Sequence, residues 1–347
     1  MARDTHCRFW ASIACALILS QAPAFAQQSS APLATYQGAD REQLLIEGAK
    51  REGELTLYSS MQIESLTPLQ RGFESKYGVK VRIWRGAGKD ILQRVVTEAA
   101  GGRRDVDVME SDSFALEALG REGMLQEVSS PYAADLVPQA RAHRLWVGTR
   151  VNIVVGVYNT RLVKKEKLPK TYEGLLDPAF KGMLGIEAED YDWFGMLMGL
   201  IGEEKGLKLF RDIVARNGIS VRKGHTHLTN LAAAGEVPIG LTVFMQNVDV
   251  ARKNGAPVDW FLLPPTIARP AAMGIAKAAP HSNAALLYYE FMLSEGQKIM
   301  LGREFVPTST KIPSVLSRIS VDFVSDELVL DQGARWQKLY DDVLAGR

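Results

Sequence analysis

The sequence predicts an α/β protein of two lobes facing each other across a ligand cleft, and three observations carry that expectation. A short β-prone run, a polar turn and an amphipathic helix recur in alternation, which requires crossover connections and a largely parallel sheet. A long apolar β-rich run, 151–158 (VNIVVGVY), interrupts this series, and a second alternating series follows it. Late in the chain another apolar strand, 272–276 (AMGIA), gives a second passage between the two halves.

The elements read in order as follows. Residues 40–52 have helical spacing, with Leu44, Leu45 and Ala49 on one face, and Gly53 ends the helix. Strand 54–58, turn 59–64 and helix 65–77 form the first unit, closed by Gly78. Strand 80–84, a glycine turn at 85–88 and helix 90–100 form the second; strand 105–109 and helix 113–122, stopped by Gly123, form the third. After 151–158, the segment 172–181 leads into strand 183–186, turn 187–192 and helix 193–201. Helices are expected at 206–217, 226–234 and 248–254, with strand 239–243 between the last two. Helical stretches at 283–301 and 326–344 close the chain, with Val306-Pro307 between them.

The start of the chain sets the compartment. Arg3 and Arg8 precede the short apolar run 9–20 (FWASIACALILS), and Ala24-Phe25-Ala26 offers small residues for cleavage before Gln27. This pattern is that of an export signal, and the run is too short to span a bilayer. Cys15 lies inside the apolar run rather than in a lipid-attachment box. The expectation is a soluble periplasmic protein. The division would be 1–26 signal, 27–52 a disordered polar leader and a helix, 53–149 lobe one and 150–271 lobe two. Residues 272–347 would supply a crossing strand and the helices that complete both lobes.

Losing Arg3, Arg8 and Asp4 with the signal takes 41 basic and 40 acidic residues to 39 of each. A balanced surface gives no reason to expect nucleic acid, whose binding rests on clustered positive charge. Cys7 and Cys15 are the only cysteines and both leave with the signal, so the mature chain has no disulfide, thiol nucleophile or cysteine-held metal. About 320 remaining residues can bury a core large enough to do without cross-links.

A search for catalytic patterns returns little. There is no Gly-x-Ser-x-Gly elbow and no phosphate loop of the Gly-x-x-x-x-Gly-Lys kind. Gly86-Ala87-Gly88-Lys89 lacks the third glycine of a dinucleotide site and reads equally as a tight turn or a ligand contact. His225 and His227 face one side of a strand but lie about 200° apart on a helix, so only an extended segment could aim both at one metal. Glu187, Glu189, Asp190 and Asp192 surround Tyr191 ahead of a helix. Carboxylates there suit the helix dipole, and in a cleft they would also suit a hard cation or an amine. No acid, base and nucleophile emerge as a set, and no cofactor is called for; the expectation is a protein that is not an enzyme.

Several segments together resemble a known family: 55–60 (LTLYSS), 73–80 (FESKYGVK), 105–111 (DVDVMES), 172–182 (YEGLLDPAFKG), 258–264 (VDWFLLP) and 279–297 (APHSNAALLYYEFMLSEGQ). Their order is that of the family-1 extracellular solute-binding proteins of ATP-driven (ABC) importers, in the branch related to ferric-iron-binding periplasmic proteins. The resemblance implies a type II periplasmic binding protein fold, a small solute in the cleft and a membrane permease as partner, with a monomer expected. It also implies, in ferric-binding members, a histidine after the first strand, a carboxylate after the third and adjacent tyrosines in the second lobe. In this chain those positions fall on Gln62, on Asp112 beside Glu110, and on Phe244-Met245. A small organic or oxyanion solute is therefore expected ahead of ferric iron, which would need a different ligand set. The expected contacts are Tyr58, Ser59, Ser60, Gly88, Lys89 and Asp112 from lobe one, with Arg150, Asp190, Tyr191, His225 and Phe244 from lobe two. In open α/β sheets ligands sit beyond the carboxyl ends of strands, where helix N-termini offer free N–H groups. Arg150 is expected either to grip a carboxylate or phosphate or to form an inter-lobe ion pair.

Overall fold

A computed structural model describes residues 31–346 of the chain. The expected export signal, 1–26, lies outside the described residues. Within them no helix is long and apolar enough to cross a membrane.

Short helix α1 (Ala31–Thr35) and helix α2 (Arg41–Glu52) open the described chain. The expected disordered leader is corrected for its described part. Ala34 is buried in the first core, its carbonyl accepts from Ser129 N, and the buried Arg41 guanidinium holds the Leu33 and Tyr36 carbonyls. The first lobe continues with β1 (Glu54–Ser59), α3 (Ile63–Tyr77), β2 (Lys80–Arg85), α4 (Gly88–Ala100), β3 (Val108–Asp112) and α5 (Ser113–Arg121). Then β4 (Val147–Asn159) leads into β5 (Leu184–Glu187), α6 (Tyr191–Ile201), α7 (Glu203–Asn217), β6 (Ser220–Arg222) and α8 (His225–Ala234). After these come β7 (Ile239–Phe244), α9 (Met245–Lys253), β8 (Val258–Phe261) and β9 (Ile267–Ile275). The chain ends with α10 (Ser282–Leu293), α11 (Glu295–Leu301), β10 (Val306–Pro307), β11 (Asp322–Phe323) and α12 (Asp326–Leu344).

Among the described residues one strand path runs β2-β1-β3-β9-β4-β7-β5-β6 through both lobes. β1 pairs parallel with β2 and β3, and β5 pairs parallel with β6 and β7, as the alternation predicts. β4 and β9 join the halves. The first part of β4, Val147 to Ile153, lies antiparallel to β9, whereas Val154 to Asn159 lies against β7 and β8. β9 in turn pairs antiparallel with β3 through Ala271 to Ile275. One core gathers Leu57, Phe73, Met109 and Met273 with the α10 side chains; a second gathers Trp193, Phe194, Phe210 and Ile267 with Trp336 and Tyr340 of α12.

Several boundaries differ from expectation for identifiable reasons. β3 begins at Val108, not at 105, because Thr56 N donates to the Asp107 carboxylate, at 2.7 Å, rather than to a strand carbonyl. It runs on through the polar 110–112 because β9 covers those residues. β9 starts five residues before the expected 272, since Arg269 and Pro270 read as breakers but pair with Asn152 and Val151 of β4. The stretch expected as one helix at 283–301 is two, broken at Ser294, whose backbone (φ −115°, ψ −95°) is not helical.

Candidate functional site

Asp112 anchors the lobe-one side. It ends β3 and caps α5, its Oδ1 accepting from Ala115 N at 3.0 Å, and Ser111 Oγ lies 3.3 Å from Oδ2. Gly88 opens α4 directly against it: a Cβ at Gly88 would stand 2.2 Å from Asp112 Oδ2, so only glycine lets the helix start come this close. Lys89, the next residue, is exposed, and Ser60 is half-buried in the turn after β1. Burial pushes the Asp112 carboxyl up to about 6, with the Asp192 carboxylate of lobe two adding to it.

The lobe-two side is built on the turn from β5 to α6. Glu187 ends β5 and is buried, accepting from Glu189 N and, at 2.8 Å, from Gly224 N at the start of α8. Asp190 is fully buried at the N-cap of α6, with Tyr191 and Asp192 in the first turn. Arg269 of β9 donates from Nη2 to Asp190 Oδ1 at 2.7 Å and to Asp192 Oδ1 at 2.5 Å. His225 opens α8, its Nε2 3.6 Å from Asp190 Oδ1 and its Nδ1 3.4 Å from the Thr242 carbonyl. A carbonyl only accepts, so Nδ1 carries the hydrogen there and Nε2 is turned to the acid. The Phe244 ring lies 3.9 Å from the His225 ring, centre to centre, with the Arg269 guanidinium 5.5 Å from its own centroid. One ligand atom from each of Glu187, Asp190 and His225 falls within 4.8 Å of the others.

The charges in this cluster are uneven. Burial pushes the Asp190 carboxyl up, but the charges of His225 and Arg269 outweigh it and hold it below its ordinary value. Glu187 is raised by burial and by the Asp190 charge. Asp192 is raised by burial, against the pull of Arg269. Burial raises the Tyr191 phenol, helped by Asp192 and, from across the cleft, Asp112.

Of the residues expected here, the structure brings together Gly88, Lys89 and Asp112 on one side and Asp190, Tyr191, His225 and Phe244 on the other. Three others have different work. Tyr58 is turned away into a buried group, where its hydroxyl donates to Glu98 Oε2 at 2.9 Å, Arg94 Nε donates to its oxygen at 3.1 Å, and its ring packs on Trp84. Burial, then Glu98, pushes this phenol up to about 12. Ser59 donates to Glu110, and Arg150 pairs with the same buried carboxylate, its guanidinium 5.2 Å from the Phe305 ring. Arg150 is therefore the ion-pair partner of β3, tying β4 to β1 and β3 beneath the site, and not a fork for a ligand. Ser60 borders this group through its backbone N–H, which donates to the Glu110 carbonyl at 3.0 Å.

Arg269 was not among the expected residues. A lone charge inside an otherwise apolar run, IARPAAMGI, was its available signal: a buried arginine must have carboxylate partners. Glu187 was visible as part of the acidic turn but not as the cap on α8.

Fold and site together define a two-lobed binding protein whose cleft is crossed by two strands. Residues 59–299 match the bacterial extracellular solute-binding protein family, and the chain belongs to it. It is the substrate-binding component of an ABC importer, acting on a small molecule that a membrane permease then receives. The chain is 26% identical over 336 residues to Iron uptake protein A1 of Synechocystis sp., covering 91% of this chain and 93% of that one. Among solved structures it is similar to the Trichodesmium IdiA/FutA protein in complex with iron and citrate ligands (TM-score 0.70, 25% identity, 84% of this chain and 99% of that one). It shares its fold with the periplasmic binding protein AfuA of Actinobacillus pleuropneumoniae, solved with fructose-6-phosphate bound (TM-score 0.71, 22% identity, 85% and 99%).

Proposed function

We propose that the solute is a small organic molecule seated between the Asp112–Gly88 corner of lobe one and the Asp190–Asp192 turn of lobe two, with His225, Phe244 and Tyr191 walling it. The observation that carries this reading is that Asp112 pairs with Ala271 of β9, two residues from the Arg269 that holds Asp190 and Asp192, so the carboxylates of the two lobes meet along one strand. Two like charges desolvated against each other are unfavourable, so closure needs a guest to bring a compensating interaction. Hinge motion at β4 and β9 moves the 187–192 turn relative to Asp112 because the two strands are the links between the sheet halves. The protein is exported, works as a monomer outside the cytoplasm, has no affinity for nucleic acid and hands its solute over unaltered.

Ferric iron is the second reading, favoured by the Glu187–Asp190–His225 grouping and by relatives named for iron. Against it, the phenolate oxygens that suit a hard trivalent ion are not at the end of β7. Phe244 stands there, its ring tilted against His225, and Met245 is buried beside it. Protein purified without refolding is to be examined by native mass spectrometry and metal analysis, with scattering recorded before and after the bound solute is removed. An organic mass adduct and expansion on removal support the reading. One equivalent of iron without an organic adduct replaces it with the ferric one, and scattering unchanged by solute removes the cleft.

A further inference from the structure

The lobes also touch outside the cleft, at two places carried by side chains rather than by β4 and β9. Helix α12 belongs to lobe two through its core face, where Val329, Trp336, Tyr340 and Val343 are buried with Phe194 and Phe210. Its first two turns lie instead on α5 of lobe one. Ser113 Oγ donates to Asp326 Oδ1, Arg121 Nη1 donates to Asp331 Oδ1 at 2.7 Å, and the half-buried Phe114 packs against the lobe-two core. The Arg121–Asp331 pair is exposed and weak by itself, so most of the hold falls to Phe114 and to Ser113, which is 4% exposed. Asp112, Ser113 and Phe114 are consecutive: the first lines the candidate site and the next two meet α12.

The second place is an independent stretch of chain. Among the described residues Glu304 is the only non-glycine with a left-handed backbone, φ 64°. That conformation is disfavoured for any residue with a Cβ and persists where surrounding contacts impose it. Glu304 follows α11 of lobe one, and Phe305 beside it is buried in the first core. Its Oε1 accepts from Lys253 of α9 at 2.7 Å, while the Arg303 carbonyl accepts from Gln246 of the same helix at 3.4 Å. Arg303 Nη2 in turn donates to the Glu64 carbonyl of α3 at 3.2 Å. Helix α9 is held in lobe two, with Met245 and Val248 buried beside Leu228 and Val243. The 303–304 turn thus ties α3 to α9.

Resting on the cleft reading above, we propose that these two clasps, α5 on α12 and the 303–304 turn on α9, set the angle between the lobes before any solute enters. Phe114, Arg121 and Glu304 are then positioning residues for capture, although they lie outside the cleft. Their contacts run from one lobe to the other and need no guest, so they favour the approached arrangement and leave a solute less to supply.

The test reads the distance between the lobes directly. Cys7 and Cys15 precede Gln27, so the mature chain takes spin labels only where cysteine is introduced, at Lys50→Cys on α2 and Arg216→Cys on α7. The distance is recorded in protein as purified and after its bound solute is removed. In solute-free protein, Phe114→Ala with Arg121→Asp is expected to raise the share of molecules at longer distance about tenfold. Adding Asp331→Arg, which restores the ion pair with its signs exchanged, reverses part of that rise. Glu304→Gly is expected to lengthen the distance as well; glycine suits the left-handed backbone, so that change reports the lost Lys253 contact and not a damaged turn. Distances in both Phe114→Ala/Arg121→Asp and Glu304→Gly unchanged from wild type overturn the proposal. If the variants lengthen the distance but solute removal does not, the clasps stand and the cleft reading falls. If solute removal lengthens it and the variants do not, the cleft reading stands and the clasps fall.

Discussion

Replacing Arg269 by methionine isolates the energetics of the site. The guanidinium is 15% exposed and faces two carboxylates whose side chains are 1% and 7% exposed. Its removal leaves Asp192 unpaired and Asp190 facing His225 alone, and breaking a buried pair from one side costs about 3–5 kcal/mol. An unfolding entropy of about 2.1 cal/mol/K per residue over roughly 300 residues makes that a fall in Tm of about 5–8 °C when both lobes melt together. The pH dependence follows from Asp190. In the wild type its carboxyl is held low, so its contribution is present above the unfolded value of about 3.9 and is lost as pH falls through the lower folded value. Without Arg269 the opposition to burial is weakened, and the penalty shrinks as acid protonates the group. The gap between wild type and Arg269→Met is therefore widest at neutral pH and narrows toward pH ~4. Calorimetry across that range measures it, with Asp190→Asn and Asp192→Asn added to Arg269→Met as a triple variant. The triple is expected to recover most of the loss at pH 7, since a buried ion cluster replaced as a whole is close to neutral. A single variant that loses under about 1 kcal/mol, the scale of a surface pair, or a triple no better than the single, refutes the reasoning.

Three further outcomes are expected. Asp112 and Asp326 are both pushed up to about 6, chiefly by burial, so the native state binds more protons than the unfolded chain between about pH 4 and 6 and loses stability as pH rises through that window. Asp112→Asn and Asp326→Asn should each stabilise the ligand-free protein at pH 7.5, by at most about 3 kcal/mol, and have no effect near pH 4; equal effects at both values would contradict the assignment. Gly88→Ala forces the Asp112 carboxylate out of its place as the α5 cap, costing about 1 kcal/mol of stability and most of the solute affinity, read by calorimetry. Arg41→Met leaves Glu290 buried and unpaired and frees the Leu33 and Tyr36 carbonyls. It should cost about 3–5 kcal/mol in denaturant unfolding and expose residues 33–40 to protease, and a silent variant would show that these Arg41 contacts do not hold the segment in place.

The alternation of strands and helices was legible in the sequence because both periodicities are local: a 2-residue repeat in runs such as ELTLY and a 3.6-residue repeat in the helices. The glycines closing α2 and α3 sit at φ 77° and 71°, where a left-handed backbone ends a helix, and the sequence marks them directly. So does the acidic turn before α6, because carboxylates at a helix start are a short-range pattern. Which side of a strand faces the cleft was not legible. Tyr58 and Ser59 are neighbours on β1 with opposite faces, and what lies over each face is set by α4 in one case and by β3 and β4 in the other. Arg150 and Arg269 look alike in sequence, each a basic residue in an apolar strand. Only the strand order, which sets β4 beside β9 and β9 beside β3, gives the first to Glu110 and the second to Asp190 and Asp192. The chain by itself thus determined the class of fold and the residue types available to a ligand, since those rest on contacts a few positions apart. The partners of each charge were decided by tertiary structure, because an ion pair depends on distance in space and the pairing strands are separated by more than a hundred residues.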